Sequence, residues 1–200
     1  MKKLLMILAV AAISLSAAAQ VQFGAKVGVD ATNFWGENVP HGMKLGYQAG
    51  LLMEYKFTDK VAVAPEVVFA AQGGEFKLAK SLLGVDLSKL GLSDPKVTYN
   101  TNYINVPVMF KYYVVPDFAI DFGPQIGFNV YSKYSIEHVK DAIDFQDATN
   151  TIDFGLGLGG TYSLTENAFV QARYTMGLTD AFDGNHAKNG NIQVAFGYKF

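Results

Sequence analysis

Alternation of apolar and polar residues runs through almost the whole chain after its first twenty residues, and it constrains the fold more than any other feature. The final ten residues, NIQVAFGYKF, show the pattern well. Small or polar residues there alternate with Ile192, Val194, Phe196, Tyr198 and Phe200. Because successive side chains of a β-strand point to opposite faces, this period predicts strands with one apolar face. Helical periodicity is nearly absent.

The alternation falls into eight segments, at 21–32, 43–57, 61–74, 102–113, 118–131, 152–164, 168–178 and 191–200. Long and short connections alternate between these segments, and the long ones lie near 33–42, 77–100, 132–150 and 179–190. Long loops at one end and tight turns at the other are typical of outer-membrane barrels. The sequence therefore predicts an all-β, eight-stranded, antiparallel up-and-down transmembrane β-barrel with its apolar faces toward lipid.

The first residues, MKKLLMILAVAAISLSAAAQ, have the layout of a secretory signal peptide. Lys2 and Lys3 precede an apolar stretch, and small residues follow through Ala19. We expect cleavage after Ala19, or after Gln20, with residues 1–19 removed and residues 20–200 forming the barrel domain. The chain has no cysteine, which excludes a lipoprotein anchor and stabilisation by disulfides.

Aromatic residues on the apolar faces should form a girdle at each membrane surface. The predicted girdle at the turn end comprises Phe23, Tyr55, Phe57, Tyr112, Phe118, Tyr162, Phe169, Tyr198 and Phe200. The girdle at the loop end comprises Phe69, Tyr103, Phe128 and Tyr174.

Three prolines, Pro65, Pro107 and Pro124, fall inside predicted strands. Proline removes a donor from the ladder and a closed barrel has no edge to accommodate it. We expect a local bulge at each proline, with a possible one-residue change of parity beyond it.

The polar face of the strands carries many charges. The predicted interior charge network comprises Lys26, Asp30, Lys44, Glu54, Lys56, Glu66, Lys111, Asp121, Asp153, Arg173 and Lys199. A pore lining is one interpretation. An eight-stranded barrel, however, is only wide enough for side chains to fill it, which favours a plug of paired charges. The inward glycines around Gly157 would leave room for Arg173.

No constellation of catalytic or metal-ligating residues is evident. His41, His138 and His186 all fall in predicted loops without a metal-ligand spacing. No histidine lies in a strand where it could activate Ser163 or another hydroxyl. The net charge of −2 gives no electrostatic reason to expect nucleic-acid binding. We therefore expect no enzyme activity, no metal and no cofactor.

The connection FKLAKSLLGVDLSKLGLSDP is unusually apolar for a loop, and Leu78, Leu82, Leu83, Leu87 and Leu90 are its main apolar residues. It is interpreted either as a short helix that caps the barrel mouth or as a surface that holds a partner.

The motifs PEVVFAAQGG, NYINVPVMFKYY, DFGPQIGFNV, DFGLGLGGTYSL, ARYTMGLTD and GYKF, in this order and across essentially the whole mature chain, resemble the PorT-type outer-membrane β-barrel family of Bacteroidota. The resemblance implies an eight-stranded barrel inserted by the barrel-assembly machinery, with which the last strand, ending at Phe200, would interact. It implies no settled biochemical activity.

The sequence thus favours an exported outer-membrane barrel that is non-enzymatic, contacts outer-membrane lipid and carries its specificity for a protein or glycan partner in the long outer loops. Two alternatives stay open. One is a small channel or transporter for small or apolar solutes, and the other is a soluble periplasmic lipocalin-like barrel with its apolar faces turned inward.

Overall fold

A computed structural model describes residues 20–35, 43–77, 96–136, 143–144, 151–182 and 185–200. The strands are β1 (Val21–Trp35), β2 (Lys44–Lys56), β3 (Val61–Lys77), β4 (Lys96–Val115), β5 (Phe118–Ile136), β6 (Ile143–Asp144), β7 (Ile152–Ser163), β8 (Ala168–Phe182) and β9 (Asn185–Lys199). In the described residues, no helix has the length and apolarity needed to span a membrane.

The strands close into a barrel. Each long strand pairs antiparallel with the long strand that follows it, and β1 pairs with β9 from Gly24↔Lys199 to Trp35↔Lys188. The two-residue strand β6 adds only to the loop end of β5, at Lys133 and Tyr134. The predicted closed, eight-stranded, all-antiparallel barrel is confirmed.

The predicted parity of the faces is also confirmed. Large apolar side chains are exposed on the outer wall of the long strands, among them Leu45 at 81%. Charged and amide side chains on the inner wall are buried instead, and Leu52 is a buried apolar exception on that inner face. In the last strand, Phe196 is exposed whereas Gln193 is buried. A bare apolar outer wall around a polar interior suits a lipid environment.

Two aromatic residues assigned to the girdles point inward, so their assignment is wrong. Tyr103 is 2% exposed and Phe169 is 1% exposed. Phe169 fits inside because its neighbour on β9 is a glycine: a Cβ built on Gly197 would lie 2.1 Å from the Phe169 ring. Phe169 therefore fills the interior at the turn end.

The expected bulges at the prolines are wrong as well. The register is the same on both sides of Pro65, Pro107 and Pro124. The fixed φ of proline is compatible with an extended strand, so each proline removes a ladder donor without needing an inserted residue. Register shifts occur instead at Asn102/Tyr103 and Tyr113/Val115 along β4 and at Met176/Asp180 and Asp180/Phe182 along β8.

The strands extend further at the loop end than the alternation predicts. The segments predicted as loops at 77–100 and 132–150 contain strand residues up to Lys77, from Lys96 and up to Ile136. The predicted loop 179–190 is largely a paired hairpin that reaches Phe182↔Asn185. Above the membrane both faces of a strand meet water. Strands that pair there therefore need no alternation of apolar and polar residues, and the sequence pattern does not reveal them.

Candidate functional site

The middle of the barrel is crossed by a network that we call the central cluster, formed by Lys26 of β1, Glu66 of β3, and Gln171 and Arg173 of β8. Lys26 Nζ donates hydrogen bonds to Glu66 Oε2 at 2.6 Å and to Gln171 Oε1 at 2.9 Å. The Arg173 guanidinium donates to both oxygens of Glu66, at 3.0 and 2.7 Å. Such bidentate, charge-assisted bonds are short and directional. The central cluster joins strands on opposite walls of the barrel.

Asp121 of β5 extends this network to a further wall. Its Oδ2 accepts hydrogen bonds from Thr161 Oγ1 at 2.6 Å and from Gln171 Nε2 at 3.0 Å. Because Gln171 bonds both Lys26 and Asp121, the polar contacts run without interruption from β1 to β5.

A second network, the turn-end cluster, lies nearer the short turns and centres on Glu54 of β2. Glu54 Oε2 accepts from Lys111 Nζ at 3.0 Å and from Lys199 Nζ at 2.9 Å. The Tyr113 hydroxyl donates to the other carboxylate oxygen. Both ammonium groups also lie within 6 Å of the Phe169 ring, at 5.9 and 5.8 Å from its centroid, a distance suited to cation–π attraction.

The loop-end half of the interior is less completely bonded. Asp30 Oδ1 accepts a hydrogen bond from Gln48 Nε2 at 2.9 Å, and Gln48 also approaches Gln193 at 3.4 Å. Within the described part of the chain, Asp30 Oδ2, Thr175 Oγ1 and both side-chain polar atoms of Asn191 have no hydrogen-bond partner. A buried polar atom without a partner is costly. Among the described residues, Arg173 Nε and Asp121 Oδ1 in the middle of the barrel also lack a partner, whereas no atom of the turn-end cluster does. The loop-end half is therefore less completely bonded than the turn-end half.

Eight of the residues predicted to form an interior charge network are buried inside the barrel: Lys26, Asp30, Glu54, Glu66, Lys111, Asp121, Arg173 and Lys199. The other three are partly exposed. Lys56 lies over the Tyr113 ring at 4.7 Å. Asp153 accepts hydrogen bonds from Thr179 and Asn189. Lys44 reaches the backbone oxygen of Gln72 and Asn100 Oδ1, so it does not join the central cluster.

Selection by charge alone missed the neutral members of these networks, which are Gln48, Tyr113, Thr161, Gln171 and Gln193. All five lie on the inner face, so parity was the signal that could have found them. The predicted space for Arg173 is present: a Cβ added to Gly159 would lie 2.9 Å from the Arg173 Cα, and one added to Gly157 would lie 3.4 Å from its Cδ.

Several predicted features fall outside the described residues. These are His41, His138 and the leucines at 78, 82, 83, 87 and 90. His186 was predicted in a loop but belongs to strand β9. No group of three or more His, Cys, Asp or Glu side chains suited to a metal ion occurs in the part of the chain that the structure describes.

A closed barrel with an apolar outer wall and a filled polar interior defines a transmembrane β-barrel. Residues 14–183 match the family described as "outer membrane protein beta-barrel domain". The chain belongs to this family and is an outer-membrane β-barrel protein.

Solved structures with this fold include three outer-membrane proteins. Neisserial surface protein A is 12% identical with a TM-score of 0.57, and the match covers 89% of this chain and 97% of that one. A major outer membrane protein from Thermus thermophilus is 13% identical with a TM-score of 0.54, covering 90% and 99%. Ail, the attachment invasion locus protein of Yersinia pestis, is 14% identical with a TM-score of 0.52, also covering 90% and 99%. A search of curated protein sequences finds no match.

Proposed function

We propose that this protein is a non-enzymatic outer-membrane barrel whose role is anchorage: the barrel holds the outer loops in place, and the loops carry the specificity for a protein or glycan partner. The central cluster is the observation that carries the proposal. Its ion pairs have side chains at most 1% exposed, and they tie β1, β3 and β8 together across the interior. A barrel filled in this way supports loops rigidly and leaves the middle without a continuous water path.

The chemistry of the interior supports a structural role for the charge network. Each described carboxylate of the central and turn-end clusters is engaged by cations or hydrogen-bond donors. Catalysis by a nucleophile needs an adjacent base, and no histidine side chain lies among the described interior residues. The proposal accordingly includes no enzyme activity and no cofactor.

Export and insertion are part of the same proposal. Residues 1–19 would direct secretion and be removed, leaving residues 20–200 as the barrel domain. The terminal strand, which ends beside Phe200 and closes the barrel against β1, would be the segment that the barrel-assembly machinery receives. The motif order supports membership of the PorT-type, Bacteroidota branch of the family.

A small channel is the second candidate, and the unpartnered polar atoms of Asp30, Thr175 and Asn191 favour it, because they would suit a wet outer vestibule. The lipocalin-like alternative needs an apolar interior. The described interior is polar and the apolar faces are outside, so that orientation is wrong.

Single-channel recording in planar bilayers separates the two candidates. The purified, heat-modifiable barrel should show no steady conductance, because the central cluster closes the middle of the barrel. An open-porin conductance would overturn the filled-interior proposal. Fractionation of native membranes should place the protein in the outer membrane, with a mature N-terminus at residue 20 or 21.

The role of the loop leucines needs a separate experiment. Residues 80–90 are replaced by a Gly/Ser linker of equal length, and gel mobility before and after boiling is compared with that of the wild type. An unchanged, compact unheated form together with loss of binding of intact cells to a host or matrix surface would support a partner surface. Loss of the compact form would instead identify these residues as a cap required for folding.

A further inference from the structure

A groove of about 470 Å³ lies at the loop end of the barrel and is lined by residues of β2, β3, β4 and β5. We call it the rim groove. Among the residues that line it are Lys44, Tyr47, Asn100, Asn102, Tyr131 and Lys133. None of these residues belongs to the central or turn-end cluster.

Strand parity places most of this lining on the lipid side of the wall. Thr101 and Ser132 are buried inside the barrel, so their chain neighbours Asn100, Asn102 and Lys133 are on the opposite face. On β2, Leu45 and Tyr47 are strongly exposed. The rim groove therefore opens outward rather than into the interior.

The groove exists because β2 and β3 separate near their loop ends. Their pairing stops at Tyr47↔Ala71. Beyond it lies Gly73, whose φ of 144° is rarely adopted by other residues. The N–H and C=O of Gly73 bond the Thr32 hydroxyl instead of β2. The Lys44 ammonium occupies the opening, at 2.9 Å from Gln72 O and 2.6 Å from Asn100 Oδ1.

The rim groove is basic at its upper edge and apolar below. Lys44 and Lys133 supply two ammonium groups, Asn100 and Asn102 supply amides, and no described lining residue is a carboxylate. Tyr47 and Tyr131 are the kind of residue that sits at headgroup level. Leu45 and Tyr47 follow Lys44 down the outer wall of β2, from the loop end toward the bilayer.

We propose that the rim groove binds the phosphate-bearing headgroup of an anionic lipid of the outer leaflet. The phosphate would lie between Lys133 and Lys44 with hydrogen bonds from the asparagine amides, and an acyl chain would pass over Leu45 and Tyr47. Basic pockets at headgroup level recognise anionic lipids by this combination of charge and apolar contact. This inference does not depend on the loop partner or on the closed interior.

Native mass spectrometry of the purified full barrel tests the site. The probes are dipalmitoyl phosphatidylglycerol and dipalmitoyl phosphatidylcholine, which share acyl chains and differ in net charge. The wild type should retain one phosphatidylglycerol in preference to phosphatidylcholine. Lys133→Gln should weaken phosphatidylglycerol binding about fivefold and leave phosphatidylcholine binding unchanged, and Lys133→Arg should retain the preference.

Lys188→Gln is the matched control, since it removes one positive charge from the loop end of β9, where Lys188 packs over Trp35 at 5.4 Å. It should leave the lipid preference intact. Equal losses in Lys133→Gln and Lys188→Gln would overturn the proposal in favour of diffuse charge attraction. Binding of inorganic phosphate as tight as that of phosphatidylglycerol would also overturn it, because the site would then serve a free anion.

Discussion

The turn-end and loop-end halves of the interior have the same parity but differ in how completely their polar groups are bonded. At the turn end, the Glu54 carboxylate receives Lys111, Lys199 and Tyr113. At the loop end, the Asp30 carboxylate receives Gln48, and one of its oxygens has no partner in the described part of the chain. The difference follows from side-chain reach. The long side chains of Lys111 on β4 and Lys199 on β9 reach Glu54 two strands away on β2, whereas the shorter Thr175 and Asn191 find no partner among the described residues.

An inward position alone does not make a charge structural. The clusters built on Glu66 and Glu54 pair their charges, so removal of one partner leaves uncompensated charge in a dry interior. Asp30 is the opposite case, because neutralising it removes a charge that is incompletely bonded. Glu66→Gln and Asp30→Asn test this difference directly. Gly197→Ala and Thr165→Ala test the packing and the turn at the turn end, and the four variants are given in order of decreasing effect.

Glu66→Gln should have the largest effect. The change keeps the side-chain shape but removes the carboxylate charge that pairs with both Lys26 and Arg173, which we expect to lower the free energy of unfolding by about 3–5 kcal/mol. The free energy of unfolding is measured by urea titration in lipid vesicles, with the fluorescence of Trp35 as the signal. The control is Glu166→Gln in the exposed turn at 164–167, expected to change stability by less than about 0.5 kcal/mol. A Glu66→Gln barrel as stable as that control would contradict a structural role for the central cluster.

Gly197→Ala should have the next largest effect, because the added methyl group would collide with the Phe169 ring. Overpacking of this kind costs about 1–3 kcal/mol. The same unfolding assay is applied to Phe169→Leu and to the double variant that carries both Gly197→Ala and Phe169→Leu. Together the three variants give the coupling free energy between the two positions. The double variant should be more stable than the sum of the single effects predicts, and strict additivity would show that the two residues do not compete for space.

Asp30→Asn should change the free energy of unfolding by less than about 1 kcal/mol, or raise it, because the amide oxygen still accepts from Gln48 and the buried charge is gone. Unfolding is compared with that of Glu66→Gln under identical conditions. A loss as large as that of Glu66→Gln would remove the distinction between the two halves of the interior.

Thr165→Ala should have the smallest effect. The Thr165 hydroxyl accepts hydrogen bonds from the backbone N–H of Asn167 and Ala168, at 3.3 and 2.9 Å, in an exposed turn. Because water can replace the lost acceptor in an exposed turn, its loss should cost no more than about 0.5 kcal/mol. Thr165→Ser keeps the hydroxyl and should unfold like the wild type, and a deficit of equal size in the serine variant would point to the methyl group instead.

Much of this fold could be predicted from the sequence because lipid imposes a direct rule on it. Every residue on the outer wall of the membrane-spanning segments must be apolar, so alternation reveals the strands, their number and their faces. Where that rule ceases, prediction failed: the paired segments near Phe182 and Asn185 lie beyond the alternating region. Phe169 was assigned to the girdle although its parity with Gln171 and Arg173 predicts the inner face. Only the room that Gly197 leaves for its ring depends on a residue distant in sequence.

The sequence by itself determined which residues of the strands face lipid and which face inward, since that choice is a local consequence of strand geometry. Only the tertiary structure decided which inward residues meet. Glu66 and Arg173 are 107 residues apart, and nothing in either segment names the other as its partner. Closure of the barrel, with a fixed tilt and stagger of its strands, brings the two side chains to the same height on facing walls, and this is why the pairing of charges is a property of the closed barrel.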